Sequence, residues 1–257
     1  MREPRKSLSG KVAVVTGANS GIGKRIAELF AAEGAETVLL VRNLEVGAQL
    51  VKEIVNNGGV AKAIYADLVN ENEVKQAIDQ TIKEYNAVDI LVNCAGIFQA
   101  GRLTDMNDDA WEKIMNVNVN GAMYCMKYVL GYMLSIKSGS IINIASEAGI
   151  SAIPNQVAYN VSKAALIMLT KSAARDYALD GVRINCVCPG RVITPLVQKL
   201  IDNSPNPDKK FRELSEDRPM KHMGTVDDIA NACLMFATDS VSYATGSVLT
   251  VDGGYTL

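Results

Sequence analysis

Three side chains that can take part in acid–base and hydrogen-bond chemistry fall in one stretch of the chain. Tyr159 and Lys163 are four residues apart in a helix-like segment, so both side chains lie on one face of the helix. Ser146 ends the apolar, strand-like run that precedes this helix. Free tyrosine titrates near ~10, and a neighbouring ammonium favours the phenolate form. The arrangement therefore predicts a tyrosine that exchanges a proton with a substrate oxygen.

A glycine-rich turn near the N-terminus predicts a nucleotide site. Gly17, Gly21 and Gly23 follow the apolar run Val12–Thr16 and precede an amphipathic helix. Glycine allows a tight turn and a close approach of the backbone to a pyrophosphate, and the helix N-terminus offers N–H groups to the phosphates. Together with the tyrosine, this turn predicts hydride transfer between a nicotinamide and a carbonyl or alcohol carbon.

The end of the second predicted strand bears on the choice of cofactor. Dinucleotide folds that prefer NAD usually have an acidic residue there for the ribose hydroxyls. In this chain Val41 takes that position, and Arg42 and Asn43 follow it. A guanidinium binds a 2′-phosphate through paired, charge-assisted hydrogen bonds. We therefore predict that NADP(H) is favoured over NAD(H), although Glu45 is close enough in sequence to turn toward the ribose instead.

Composition and charge restrict the classes of protein to which the chain can belong. The 257 residues are 48% hydrophobic and 21% charged, as in a soluble globular protein. The net charge of −2 gives no reason to expect a nucleic-acid partner. We expect no secretory signal, since no apolar run follows the basic segment 1–6, and no membrane span. The five cysteines lack metal-ligand spacing and suit the reducing cytoplasm.

Strand-like and helix-like segments alternate along the chain. The predicted strands cover 12–16, 37–42, 60–66, 88–93, 140–145, 182–188 and 247–251. The predicted helices cover 22–33, 46–56, 71–85, 109–134, 157–179 and 226–237. Apolar strands separated by amphipathic helices indicate βαβ units, in which helices cover both faces of a parallel sheet. We predict a single α/β domain over residues 1–257, with a Rossmann-like, doubly wound parallel sheet.

Residues 191–224, here called the lid segment, interrupt this alternation. The segment is polar, contains several prolines and shows no clear helix or strand pattern. Long irregular loops in compact domains often act as lids over a binding site. We expect the lid segment to cover the substrate, and a plain surface loop is the alternative.

The chain resembles the short-chain dehydrogenase/reductase superfamily over nearly its whole length. The matching motifs are Thr16-Gly17-Ala18-Asn19-Ser20-Gly21-Ile22-Gly23, Ala66-Asp67-Leu68, Asn93-Cys94-Ala95-Gly96, Asn118, Ser146, Tyr159 with Lys163, the loop 189–196 and residues 251–254. Cys94 stands where the family more usually has asparagine. With Arg42 and Asn43 added from the second strand, the resemblance implies cofactor contacts from Gly17, Asn19, Ser20, Gly21, Ile22, Gly23, Asp67, Leu68, Asn93, Ala95, Gly96, Tyr159, Lys163, Pro189, Gly190, Val192 and Thr194.

The same resemblance implies a role for each catalytic residue. Ser146 would orient the substrate oxygen, Tyr159 would be the acid or base, and Lys163 would hold the nicotinamide ribose. Asn118 would hold a water that links Lys163 to solvent. Family members are usually tetramers and sometimes dimers, so we expect a homotetramer or a homodimer.

The substrate is less constrained by the sequence. Glu147 and Gln156, beside Ser146 and Tyr159, predict recognition of hydroxyl groups, as in a sugar, a polyol or another polar ketone. A 3-oxoacyl-(acyl-carrier-protein) reductase is one alternative, although Asp180 stands where a basic docking residue is expected. A steroid or other bulky alcohol dehydrogenase is a second. A regulator that binds nucleotide without catalysis is a remote third, because both the tyrosine and the lysine are present.

Overall fold

Seven short apolar runs form one parallel sheet in the computed structural model, which describes residues 6–257. The strands are β1 Val12–Thr16, β2 Glu36–Val41, β3 Val60–Tyr65, β4 Ile90–Asn93, β5 Gly139–Ile144, β6 Val182–Pro189 and β7 Val248–Val251. Their order across the sheet is β3-β2-β1-β4-β5-β6-β7, and every neighbouring pair is parallel. The predicted doubly wound fold is confirmed. The expectation about a secretory signal concerned residues 1–6, which lie outside the described residues except for Lys6.

Amphipathic helices cover both faces of the sheet. They are α1 Gly21–Ala32, α2 Leu44–Asn56, α3 Glu71–Tyr85, α4 Asp108–Met115, α5 Gly121–Ile136, α6 Val157–Tyr177, α7 Pro195–Asp202, α8 Pro207–Glu216 and α9 Val226–Ala237. Helices α1, α2 and α9 pack on one face in an apolar cluster that includes Phe30 and Phe236. Helices α3, α5 and α6 pack on the other face in a cluster that includes Ile78 and Met133. Within residues 6–257, none of the helices has the length and apolar composition that a bilayer span requires.

The long helix predicted over 109–134 is interrupted. Helices α4 and α5 are joined by a π-helical turn, Asn116–Asn120, in the middle of which Asn118 is only 1% exposed. Such a turn widens the helix locally and often occurs at functional sites. An apolar repeat pattern does not show it, because the helix continues on both sides.

The lid segment was predicted to be irregular, but it contains the two helices α7 and α8. Each has a proline in its first turn and a side chain that caps its N-terminus, Thr194 for α7 and Asn206 for α8. Proline in the first helical turn costs no hydrogen bond, so it starts a helix there. Ile201, Leu214 and Met223 form a small apolar cluster that holds the segment together.

Buried polar side chains connect β4, β5 and α6. The Asn93 amide donates to Asn143 Oδ1 at 2.9 Å. The Asn143 amide in turn donates to Thr170 Oγ1 at 2.9 Å. All three residues are at most 3% exposed. The network fixes the side-by-side position of strands whose ends point into the site.

We predict that Asn143→Ala lowers the free energy of unfolding by about 1–3 kcal/mol, because it removes the closer of the two acceptors of the buried Asn93 amide. Urea-induced unfolding measures the change. The control is Asn72→Ala at the exposed start of α3, which should change the free energy by less than about 0.5 kcal/mol. Equal stability of the two variants would show that the network contributes nothing.

Candidate active site

A cleft of about 490 Å³ opens at the carboxyl ends of the strands. The loops that follow six strands, β1 to β6, all contribute residues to its lining. Strands β1 and β4 are neighbours in the sheet but not in the chain, so the winding direction reverses between them. In doubly wound sheets the two loops diverge at this switch point and leave a crevice for a ligand.

The glycine turn packs closely against the loop after β4. Gly17 has φ +68°, and a Cβ at this position would lie 2.7 Å from the Cα of Ala95. A Cβ on Gly23 would lie 2.4 Å from the carbonyl oxygen of Gly17. Thr16 Oγ1 accepts hydrogen bonds from the N–H groups of Cys94 and Ala95, both at 3.1 Å. Only glycine fits at these two positions, so the turn has the shape of a cradle.

This cradle fits the phosphates and sugars of a dinucleotide. Ser20 precedes α1 without a side-chain cap, and no acidic residue occupies the first turn of the helix. The first N–H groups of α1 are therefore available to an anion. Asn19 Oδ1 is buried in the cleft wall and has no hydrogen-bond partner among residues 6–257. A hydroxyl of a bound nucleotide would satisfy this oxygen.

Ser146, Tyr159 and Lys163 all line the same cleft. Lys163 is 4% exposed, and its Nζ donates to the carbonyl oxygen of Ile144 at 2.8 Å. The same Nζ lies 5.7 Å from the centroid of the Tyr159 ring. Ser146 Oγ accepts a hydrogen bond from the N–H of Ala148 at 3.2 Å. A hydroxyl, a phenol and an ammonium therefore share one partly enclosed space.

Asn118 does not line the cleft but holds two of its walls. Its side chain accepts from the N–H of Ile97 at 2.8 Å and donates to the carbonyl oxygen of Ile97 at 3.0 Å. It also donates to Ser162 Oγ at 3.0 Å, and this hydroxyl donates to the carbonyl oxygen of Tyr159 at 2.8 Å. The loop after β4 is thereby tied to the start of α6. Sequence reasoning missed Ser162, whose only signal was its position between Tyr159 and Lys163.

Two of the predicted cofactor contacts are directed elsewhere. The Asn43 side chain caps α2 by accepting from the N–H groups of Glu45 and Val46. Asn93 is 3% exposed, and its amide is bonded to Asn143 in the core. Neither lines the cleft. Asn43 was predicted from its position after the second strand and Asn93 from the family resemblance. An asparagine at a strand end can equally satisfy local backbone or a neighbouring strand.

The two predicted substrate contacts beyond Ser146 and Tyr159 are likewise absent from the lining of the cleft. The Glu147 carboxylate is buried and accepts a hydrogen bond from Arg218. Gln156 forms a backbone bridge with Gly101 and does not line the cleft. Sequence alone could not show the position of Arg218, which is 71 residues away in the chain.

The remaining predicted residues do come together at the cleft. They are Gly17, Asn19, Ser20, Gly21, Ile22, Gly23, Arg42, Asp67, Leu68, Ala95, Gly96, Ser146, Tyr159, Lys163, Pro189, Gly190, Val192 and Thr194. The structure adds Phe98, whose ring meets that of Tyr159 edge to face with 5.4 Å between centroids. It also adds Arg191, Leu196 and Val197, which come from the beginning of the lid segment. Phe98 and Val197 belong to no motif, whereas Arg191 and Leu196 lie in the matched loop 189–196, and only the fold shows that all four line the cleft.

Cys94 is the one thiol that lines the cleft within the described part of the chain. Burial raises the pKa of this thiol to about 12, against a small opposing effect of the Lys163 charge. Only the thiolate is a strong nucleophile. Cys94 therefore stays protonated at neutral pH and takes no nucleophilic part.

Comparison with known proteins gives matches over almost the entire chain. A family model described as enoyl-(acyl carrier protein) reductase matches residues 17–256. An uncharacterized oxidoreductase of Thermotoga maritima is 38% identical over 250 residues, which are 97% of this chain and 99% of that protein. The 3-oxoacyl-(acyl-carrier-protein) reductase of the same organism is 36% identical, over 96% of this chain and 98% of that protein. The ligand-free structure of Thermoplasma acidophilum aldohexose dehydrogenase has a TM-score of 0.89 at 36% identity, covering 98% of this chain and 96% of that one.

We predict that Gly23→Ala raises the dissociation constant of a nicotinamide dinucleotide by about 5- to 150-fold. The added methyl would meet the Gly17 carbonyl oxygen, and overpacking of this kind costs about 1–3 kcal/mol. Isothermal titration calorimetry measures the binding. The control is Gly131→Ala on α5, where a Cβ would have open space around it. If the Gly23 variant is folded and binds normally, the turn does not hold the cofactor.

Proposed function

Because the chain belongs to the short-chain dehydrogenase/reductase family, we propose that it interconverts a ketone and a secondary alcohol, with Tyr159 as acid or base. The observation that carries this proposal is the presence of Ser146, Tyr159 and Lys163 in the cleft that also contains the glycine turn. A proton donor and a dinucleotide cradle in one cleft are the parts that carbonyl reduction requires.

The proposed mechanism assigns one task to each side chain. The glycine turn would hold the phosphates of a nicotinamide dinucleotide, which would supply the hydride for reduction and accept it in oxidation. Ser146 Oγ hydrogen-bonds to the substrate oxygen and orients the carbonyl. Tyr159 Oη gives its proton to that oxygen in reduction and removes the proton in oxidation. The Lys163 ammonium offsets the negative charge that Tyr159 carries after it has given up its proton.

We favour NADP(H) as the cofactor. Arg42 lies at the rim of the cleft, and Val41 at the end of β2 is buried and apolar. Among residues 6–257, the Arg42 guanidinium is not engaged in an ion pair, so it is available to a 2′-phosphate. Glu45, the first carboxylate after β2, does not line the cleft.

The substrate we favour has an apolar group next to the reacting carbonyl. Recognition of a sugar or polyol was predicted from Glu147 and Gln156, and neither faces the cleft. Several of the side chains that share the cleft with Tyr159 are apolar, among them Phe98, Leu196 and Val197. This lining suits a 3-oxoacyl thioester or a cyclic ketone. A polar aldose remains the second candidate because of the similarity to aldohexose dehydrogenase.

We further propose that the enzyme acts in the cytoplasm as a homotetramer or homodimer. All five cysteines are free thiols, as a reducing compartment maintains them. Val161 and Met168 on α6 are 40% and 60% exposed, and a partner helix would cover them. Light scattering of the active protein tests this assembly, and an active monomer would contradict it.

The function is tested by following NADPH, and separately NADH, with a panel of carbonyl compounds. The panel contains an acetoacetyl thioester, cyclic and steroid ketones, and keto- and aldo-sugars. We expect turnover of a compound with an apolar flank, and a loss of about 100- to 10,000-fold in kcat for Tyr159→Phe. Tyr243→Phe, which changes an exposed tyrosine of the same kind, is the control. Undiminished turnover by the Tyr159 variant would overturn the mechanism.

Cofactor preference has its own test. Arg42→Ala should raise the dissociation constant of NADPH by about 10- to 150-fold, since hydrogen bonds to charged groups contribute about 1.5–3 kcal/mol. Binding of NADH, which lacks the 2′-phosphate, should change by less than about twofold. Arg175→Ala on the exposed side of α6 is the matched control. Equal weakening of both cofactors would mean that Arg42 does not contact the 2′-phosphate.

A further inference from the structure

A buried ion pair connects the lid segment to the loop on which Ser146 lies. Glu147, the residue after Ser146, is 4% exposed, and Arg218 is 1% exposed. Arg218 Nη2 donates to Glu147 Oε1, and Arg218 Nη1 donates to Asp217. We call residues 217–220 the base of the lid segment. The guanidinium of Arg218 in this segment is therefore screened from water and is bound to the residue next to Ser146.

The same pair contacts the loop after β6, which lines the cleft. A Cβ on Gly190 would lie 2.8 Å from Glu147 Oε2 and 2.5 Å from the Cα of Asp252. Gly190 is therefore enclosed between the Glu147 carboxylate and the C-terminal segment. A displacement of Glu147 toward Gly190 would move this residue, because the gap between them is too small for a methyl group.

The C-terminal segment completes the arrangement around Arg218. The guanidinium carbon of Arg218 lies 5.0 Å from the centroid of the Tyr255 ring. The N–H of Met220 donates to the carbonyl oxygen of Gly253 at 3.1 Å. Four chain segments thus meet at the Glu147–Arg218 pair, and two of them provide walls of the cleft.

We propose that Glu147 is a positioning residue, which through Arg218 holds the base of the lid segment against the loops of Ser146 and Gly190. Glu147 touches neither substrate nor cofactor, and its effect passes through the segments that do. The inference rests on the proposed function, since it gives the lid segment a part in that reaction. The structural part of the proposal is the coupling of the lid segment to Glu147, and it can be measured without enzymatic turnover.

We expect the protonation state of Glu147 to change the equilibrium between the closed and open forms of the base of the lid segment. Burial raises the pKa of Glu147 to about 7, with the Arg218 and Arg191 charges opposing the rise and Asp252 adding to it. Asp217, which pairs with both arginines, is the other charged group at this position. Burial outweighs the attraction of Arg218 because one carboxylate oxygen, Oε2, has no hydrogen-bond partner among the described residues.

The direction of the pH effect follows from linkage. When the base of the lid segment opens, the Glu147 carboxyl returns to water, where a glutamate pKa is about 4.3. The closed form has the raised pKa and binds the proton more tightly. The stabilisation from this proton is complete below pH of about 4.3 and is lost as the pH rises through about 7. Between pH 6 and pH 8 the opening equilibrium should increase about tenfold.

Hydrogen exchange of the protein without cofactor and substrate tests this coupling. In the native protein, exchange in α7, α8 and residues 217–224 should be about tenfold faster at pH 8 than at pH 6, after correction for the intrinsic rate. In Glu147→Gln, which cannot ionise, the corrected rates should differ by less than about twofold. Glu84→Gln, at an exposed pair with Lys62, should keep the tenfold difference. A tenfold difference that persists in Glu147→Gln, or that is absent from the native protein, overturns the proposal.

Kinetics separate positioning from a purely structural role. Arg218→Gln leaves the Glu147 carboxylate buried and unpaired, so it should raise KM for the carbonyl about tenfold or more at pH 8. The dissociation constant of the cofactor should change by less than about twofold, because most of the cradle lies on the other half of the sheet. In the double variant with Glu147→Gln, KM should return toward the native value.

The exchange and kinetic measurements distinguish failure of the coupling between Glu147 and the lid segment from failure of the proposed function. A lower melting temperature with unchanged KM would show a purely structural pair and overturn the proposal. If Arg218→Gln does not fold, the hydrogen exchange of Glu147→Gln at pH 6 and pH 8 is sufficient to test the coupling. If the native protein turns over none of the carbonyls, the proposed function fails. The hydrogen-exchange results still test the coupling between Glu147 and the lid segment.

Discussion

The close contact between the turn after β1 and the loop after β4 is the constraint on which the site depends. The missing Cβ of Gly17 lets its backbone reach Ala95, and the Thr16 hydroxyl binds two N–H groups of that loop. These contacts hold together the two chain segments between which the winding direction of the sheet reverses. The cradle on one side and the loops of Ser146 and Gly190 on the other are positioned relative to this contact. The cleft between them follows from the strand order.

Two buried cations near the cleft are stabilised in different ways. Lys163 donates to the neutral carbonyl of Ile144 and pairs with no carboxylate among residues 6–257. Its positive charge is therefore felt in the cleft, beside Tyr159. The Arg218 charge is bound by Glu147 and Asp217 and is largely cancelled where it lies. One cation can therefore support chemistry, whereas the other links chain segments.

Much of the fold could be read from the sequence because it depends on local periodicity. Alternating apolar strands and amphipathic helices, with glycines after the first strand, were sufficient to predict a doubly wound sheet and the position of its cradle. Tyr159 and Lys163 could be predicted together, because helix geometry alone puts residues four apart on one face. The errors occurred where the pattern is equivocal. Proline starts α7 and α8, although the lid segment looked irregular, and the π turn around Asn118 leaves no trace in an apolar repeat.

The sequence by itself determined the seven strands, the cradle and the spacing of Tyr159 and Lys163, because backbone geometry and short-range spacing specify them. The tertiary structure alone decided where the other polar side chains point. Glu147 follows Ser146 and was predicted to contact the substrate, but Arg218, 71 residues away in the chain, binds its carboxylate in the interior. Phe98 reaches the cleft from the loop after β4 and Leu196 from the first turn of α7, and only the fold brings them into one lining. A side chain's direction depends on the charges and apolar surfaces that distant segments bring to it, and the fold determines which segments meet.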